Sequence, residues 1–295
     1  MTTEIKRILI PTDFSKTGSL ALQHAVFLAR LCKAELFVLN SIEIPDTAYS
    51  MVDPLVIYRD IVDIESDAKK RLEQIATELK REHSLSVRVI FTQGKAATEI
   101  MRAVKKFKID LIIMGTHGAH GFNEYFVGSN AYKTVTISPC PVITVQAKAK
   151  KLGFTNIVLP IDDSFHSRQK VNYTIMLAKK YAAKVHVLGL VDKETDPKKL
   201  AIKLDSVEKA IKKSGLVYSR KVVKGKNLAV AALNYSKKAK ADLISVLSNH
   251  ESHLNGIFLD AFAKQIVNHS RIPVLSIRPN KGIYDSVSLA GSNAN

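Results

Sequence analysis

The sequence predicts an α/β protein built as two tandem doubly wound domains, each a Rossmann-like five-stranded parallel sheet. Three observations carry this: a length of 295 residues, an internal repeat, and short apolar runs alternating with amphipathic stretches. That length exceeds one ordinary domain and suits two of about 150 residues each. The repeat sets Ile8-Leu9-Ile10-Pro11-Thr12-Asp13-Phe14-Ser15 over Ile157-Val158-Leu159-Pro160-Ile161-Asp162-Asp163-Ser164, an offset of 149 (Ile157 minus Ile8). It runs on without a gap through Leu28-Ala29 over Leu177-Ala178 and Val38-Leu39 over Val187-Leu188. Later, Asp110-Leu111-Ile112 matches Asp242-Leu243-Ile244, and Ser138 with Pro141-Val142 matches Ser270 with Pro273-Val274, now at offset 132 (Asp242 minus Asp110). The second copy is thus shorter in its middle by 17 residues, the difference between the offsets. Domains at 1–147 and 152–279 follow, joined by Lys148-Ala149-Lys150-Lys151, with a small polar tail at 280–295 that reads as disordered.

Taken in order, Arg7–Pro11 is a short apolar run, hence a buried strand. Leu20–Leu31 carries apolar residues on a helical period, and Glu35–Asn40 is the second strand. Asp53–His83 reads as a long amphipathic helix marked by Leu55, Ile61, Ile64, Leu72, Ile75 and Leu79. Val87–Thr92 is strand three, Ala97–Phe107 a helix and Asp110–Met114 strand four. A glycine-rich loop leads to a helix ending near Ile137, then to strand five at Val142–Val145. Strands separated by helices pair in parallel through right-handed crossovers, and such sheets bind ligands beyond the strands' carboxyl ends. The loops after strands one and four lie at that edge.

Composition narrows the class. Hydrophobic residues are 46% and charged residues 24%, which is globular. No apolar run reaches the roughly 20 residues of a membrane helix. The amino-terminal residues lack a signal-peptide core, and Cys32 and Cys140 make neither a disulfide framework nor a Cys-rich metal site, so a soluble cytoplasmic protein is expected. Residues 1–147 hold 18 Lys+Arg and 16 Asp+Glu, whereas 148–295 hold 26 and 11, so nearly all of the +17 net charge lies in the second half. Such asymmetry can mark a surface for nucleic acid or anionic lipid, but without a recognition motif a solvated lysine-rich face is the plainer reading.

Chemistry concentrates in two loops. Gly115-Thr116-His117-Gly118 and Gly128-Ser129 give the spacing Gly-x2-Gly-x9-Gly-Ser, in which backbone N–H groups and a helix N-terminus can ring an anion. Glycine-bearing turns without a ligand share such spacing. Asp13, just past Pro11-Thr12 at the end of strand one, suits ribose hydroxyls, or equally an N-cap for the next helix. Together the loops describe a nucleotide with its sugar at one end and phosphates at the other.

On these residues, and on Cys140-Pro141-Val142 for the last strand, both halves resemble universal stress protein (UspA-type) domains, and the chain resembles tandem members of that family. The resemblance covers nearly the whole chain apart from the tail. It implies an adenine nucleotide alpha hydrolase-like fold and, in the nucleotide-binding subgroup, an ATP seat, with or without Mg2+. Carried over by position, Pro11, Thr12, Asp13 and Ser41 would surround adenine and ribose, Ser41 through its backbone. Met114 and Gly115 would line base and sugar, and Gly118, Gly128, Ser129 and Asn130 the phosphates. It also implies pairing of the two domains through their last strands; a further homodimer and an unidentified protein partner stay open. In the second half Gly115, Gly118, Gly128 and Ser129 become Leu247, His250, Asp260 and Ala261, so no nucleotide is expected there in the family's manner.

The favoured function is therefore an ATP-binding stress regulator with its seat in the first domain only. The alternatives are a slow ATPase or phosphotransferase, against which no evident general base or γ-phosphate lysine is found, and a nucleic-acid or anionic-surface binder through the basic second domain. Gly94-Lys95-Ala96 and Gly225-Lys226-Asn227 lack the rest of a phosphate-loop motif and read as strand-to-helix turns. His117-x2-His120 and His250-Glu251-Ser252-His253 lack zinc-site spacing, and Cys140 reads as an inert thiol. Asp196–Lys213 reads as a surface helix whose apolar face is Leu200, Leu204, Val207 and Ile211.

Overall fold

The computed structural model of the chain describes residues 4–44, 54–116, 128–164, 166–248 and 261–279. In the first half these form β1 (Arg7–Pro11), α1 (Lys16–Cys32), β2 (Glu35–Ile42), α2 (Pro54–His83), β3 (Val87–Gln93), α3 (Ala96–Phe107), β4 (Leu111–Gly115), α4 (Ser129–Ile137) and β5 (Val142–Val145). The second half repeats the series as β6 (Asn156–Ile161), α5 (Val171–Tyr181), β7 (Lys184–Val191), α6 (Pro197–Lys213), β8 (Tyr218–Lys224), α7 (Leu228–Lys238), β9 (Leu243–Leu247), α8 (Ala261–His269) and β10 (Val274–Ile277). The shortened middle of the second copy is largely its helix, 17 residues in α6 against 30 in α2.

The strands join in one ten-stranded sheet of order β3-β2-β1-β4-β5-β10-β9-β6-β7-β8. Each half is parallel throughout, with its order reversing between β1 and β4 or between β6 and β9. β5 and β10 pair antiparallel, Val142 opposite Ser276, Ile143 opposite Leu275 and Thr144 opposite Val274. Ile143 and Leu275 are themselves partners at offset 132, so this pair sits on a local two-fold axis relating the halves. Central strands buried on both faces explain the continuous apolar runs of β1, β4, β6 and β9.

The recurring polar residues are structural. Asp110 accepts the backbone N–H groups of Lys6 and Arg7 through Oδ2, each at 2.8 Å, tying the start of β4 to the start of β1. Asp242 does the same for β6, accepting from Thr155 and Asn156 and pairing with Lys151 at 2.6 Å. The Ser138 hydroxyl donates to the Cys140 carbonyl at 2.7 Å, and Ser270 donates to that of Ile272 at 2.6 Å, fixing the same turn before β5 and β10. On α2, Leu72 and Leu79 are buried as their spacing requires, but Ile64 is 53% exposed. Leu200, Leu204, Val207 and Ile211 of α6 are all buried. The chain between the halves is pinned to α1, where His24 Nε2 meets the Ala149 carbonyl at 2.9 Å and its ring stacks on Phe154.

Candidate functional site

Strand β1 ends at Pro11, and the chain turns at once into α1. The Thr12 N–H donates to the Leu39 carbonyl at 2.8 Å, and the Asn40 amide donates to the Thr12 carbonyl at 2.8 Å, so β2 fixes the path of the loop. Thr12 Oγ1 accepts from the Phe14 N–H at 3.0 Å, and Asp13 Oδ1 from the Ser15 N–H at 3.1 Å. Ser15 rather than Asp13 caps α1, accepting from the Gly18 N–H at 3.1 Å. Asp13 therefore stands exposed at the loop's tip instead of within the helix cap. Phe14 takes the left-handed conformation (φ 61°), a strain of about 1–3 kcal/mol for a side chain of this kind. Arg71 of α2 lies over its ring, 5.5 Å from the centroid.

The second wall comes from β4. Gly115 lies so close to α1 that a Cβ there would come 2.9 Å from Thr17 Cγ2, 3.0 Å from Thr17 C and 3.1 Å from Thr17 O. Glycine is what lets the first turn of α1 settle against the end of β4. The Gly128 N–H donates to the Thr116 carbonyl at 2.6 Å, and Gly128 is the N-cap of α4. No side chain among the described residues caps that helix, and Ser129 and Asn130 in its first turn are exposed. The N–H groups of this turn, with the positive end of the helix dipole, can receive an anion.

The carboxyl edge of the sheet thus holds Pro11, Thr12, Asp13, Ser41, Met114, Gly115, Gly128, Ser129 and Asn130 on four elements (β1, β2, β4 and α4) and their loops. Not all are placed alike. Met114 is 5% exposed and its side chain belongs to the core, and the Ser41 hydroxyl is spent on the Gly94 carbonyl at 2.7 Å. Gly118, His117 and His120 lie outside the described residues, as do His250, His253 and Asp260. Among the described residues no cluster of His, Cys, Asp or Glu could hold a metal ion. Cys140 is half-buried, and its partial burial pushes its thiol up to about 11.

Residues that sequence reasoning passed over shape this edge of the sheet. Asn40 is 6% exposed, and its Oδ1 and the nearby Thr92 Oγ1 are buried without a hydrogen-bond partner among the described residues. An asparagine inside an apolar strand was a legible sign, since strands disfavour it. Thr17 and Arg71 gave no such sign; their roles depend on the packing of α1 and α2.

The matching edge of the second half is built differently. Asp162 Oδ1 accepts from both the N–H and the hydroxyl of Ser164. Ser164 consequently caps no helix, and α5 begins only at Val171. Leu247 stands where the first half has Gly115, 5% exposed and in one core cluster with Val171. Lys203, at offset 132 from Arg71, donates to the carbonyl oxygens of Asp163, at 2.6 Å, and Ser164. Asp163 Oδ2 accepts from the Asp196 N–H at 2.8 Å. Side chains of the protein itself hold the loop that is left exposed in the first half.

The universal stress protein family model matches residues 4–146 and again 153–278. Universal stress protein YxiE of Bacillus subtilis is 30% identical over 145 residues, 48% of this chain and 98% of that protein. Universal stress protein MJ0531 of Methanocaldococcus jannaschii is 28% identical over 148 residues, 50% of this chain and 85% of that protein. A crystal structure of a universal stress protein from Archaeoglobus fulgidus aligns over 93% of this chain and 98% of its own, with a TM-score of 0.76 and 19% identity, a likeness of fold across both halves. No helix among the described residues is long and apolar enough to cross a membrane. With two matches that together span most of its length, the chain belongs to the universal stress protein family as a tandem of two such domains.

Proposed function

We propose that the first domain, within residues 1–147, binds an adenine nucleotide, with ATP as the favoured ligand, and that the second domain, within 152–279, does not. The observation that carries this reading is the pairing of the exposed Asp13 loop with the α4 N-terminus, which no side chain among the described residues caps, at one carboxyl edge. Asp13 would receive ribose hydroxyls, and the N–H groups around Gly128, Ser129 and Asn130 the phosphates. The backbone at Thr12, Ser41, Met114 and Gly115 would bound the base. Gly118 would extend the phosphate cradle. Mg2+, where present, would add charge for the phosphates.

In the second domain buried Leu247 stands in place of Gly115, and Lys203 holds the Asp163 and Ser164 carbonyls. The protein then acts as a regulator whose first domain changes state with nucleotide. ATP can shift its conformation only by binding one arrangement more tightly, and the strained Phe14 loop is the element such binding would favour. Mass analysis of small molecules released from the purified, denatured protein tests the reading. An adenine nucleotide released from the wild type and not from Asp13→Ala supports it; equal release from both rejects the assignment.

A further inference from the structure

Antiparallel pairing of β5 with β10 reverses the second half's strands relative to those of the first. The rim that carries the carboxyl ends of β1 and β4 therefore also carries the amino ends of β6, β7, β8, β9 and β10. Because each helix returns the chain against its strands, α5, α6 and α7 end on this rim. Five connections enter the second-half strands there, at 148–156, 178–184, 210–218, 235–243 and 266–274. They hold 12 Lys+Arg, 11 of them Lys, against the single acidic Asp242. The matching first-half connections, at 4–7, 29–35, 80–87, 104–111 and 134–142, lie on the opposite rim and hold nine against four. Cations in a helix's last turn offset its dipole. That applies equally to both halves, so it does not account for the difference.

Among the described residues, most of the lysines in these five connections are not offset by Asp242. Asp242 is taken up by Lys151, Thr155 and Asn156. Lys179, Lys180, Lys213, Lys237, Lys238 and Lys240 are exposed and form no ion pair among the described residues. Two aliphatic side chains stand out among these lysines, Val217 at 68% exposure and Leu152 at 39%.

We propose that this amino-terminal edge of the second domain docks on an anionic phospholipid surface. Lysines spread over the ends of three helices present a broad charged face, and like charges without partners favour a polyanionic one. Val217 and Leu152 would enter the boundary between headgroups and acyl chains, where an aliphatic side chain leaves water. Nucleic acid fits less well: Arg271 is the one arginine among the 12, and arginine is the residue suited to forked phosphate contacts. The proposal stands whether or not the first domain takes a nucleotide. Should it do so, the mouth of that crevice opens along the same rim.

The test is co-sedimentation of the full chain, without nucleotide, with phosphatidylserine–phosphatidylcholine vesicles and with phosphatidylcholine vesicles alone. Binding is expected only to the anionic vesicles, and it should weaken as salt is raised. Lys237→Glu with Lys238→Glu should lower partitioning at least about tenfold. The control is Lys105→Glu with Lys106→Glu, the positions matched at offset 132 on the opposite rim, which makes the same charge change and should leave binding within about twofold. Val217→Ser should weaken binding without altering its salt dependence. Equal loss in both double variants would overturn the proposal in favour of net charge alone. Absence of vesicle binding, or binding to a duplex oligonucleotide in its place, would also overturn it.

Discussion

Substituting Gly115 by alanine probes the contact that joins the two loops of the candidate crevice. The added Cβ would lie 2.9 Å from Thr17 Cγ2 and 3.0 and 3.1 Å from the Thr17 backbone carbon and oxygen. A flexible side chain could turn aside, but the backbone atoms belong to the first turn of α1, anchored by the Ser15 cap and by Ser19 N–H to Ser15 carbonyl. Either α1 or the end of β4 must shift, and overpacking of this kind costs about 1–3 kcal/mol. Thr17→Ala removes the Cγ2 contact and leaves the other two, so the double variant should recover only part of the loss. Urea unfolding of the four proteins measures the stability cycle, and calorimetric titration with ATP measures the site. Gly115→Ala should weaken ATP binding as the loops move apart. Stability within about 0.5 kcal/mol of wild type would refute the packing argument, and unchanged affinity in a destabilised variant would refute the link between this contact and the ligand.

Other expectations are more local. Asp13→Ala should weaken ATP binding by about 1–3 kcal/mol while leaving the fold intact, because Ser15 and not Asp13 caps α1. Asp242→Ala should destabilise the protein by about 3 kcal/mol, since the Thr155 and Asn156 N–H groups lose their acceptor and Lys151 its partner; chemical denaturation would read this. Burial holds the His24 imidazole below its ordinary 6.5, so the unfolded chain binds that proton more readily than the folded one. The stability tied to His24 is accordingly full above pH 6.5 and lost as pH falls below it. His186, also lowered by burial, acts with the same sign. Urea midpoints measured across this range should fall with acidity, and His24→Gln should flatten the slope. Cys140, whose thiol is raised to about 11, should resist alkylation at neutral pH until the protein unfolds, as peptide mass analysis would show.

The fold was readable because its signals are periodic. Arg7–Pro11 and Val142–Val145 coincide with β1 and β5, and the other first-half elements, where both ends could be set, fall within a few residues of their expected limits. The largest shift is α1, which starts at Lys16 and not Leu20: its first turn is polar and is begun by the Ser15 cap, which apolar periodicity does not register. The repeat was equally plain, but uniform alignment at offset 149 concealed the delayed start of α5. That delay arises because Ser164 bonds to Asp162, a choice between two ordinary uses of one serine. Glycine spacing located the edge where a ligand would sit. It gave no hint of Asn40 beneath Thr12, of Thr17 against Gly115, or of Arg71 over Phe14, because these contacts join segments far apart in sequence. Nor did the charge count show on which rim the lysines gather; the antiparallel junction of β5 and β10 decides that.

The most direct test of a nucleotide site in the first domain and none in the second is the stoichiometry of Mg-ATP binding to the full chain by calorimetry. One site per chain is expected, weakened by Asp13→Ala and indifferent to Asp162→Ala. Two equivalent sites, no site, or a single site that follows Asp162 instead of Asp13 would contradict the account.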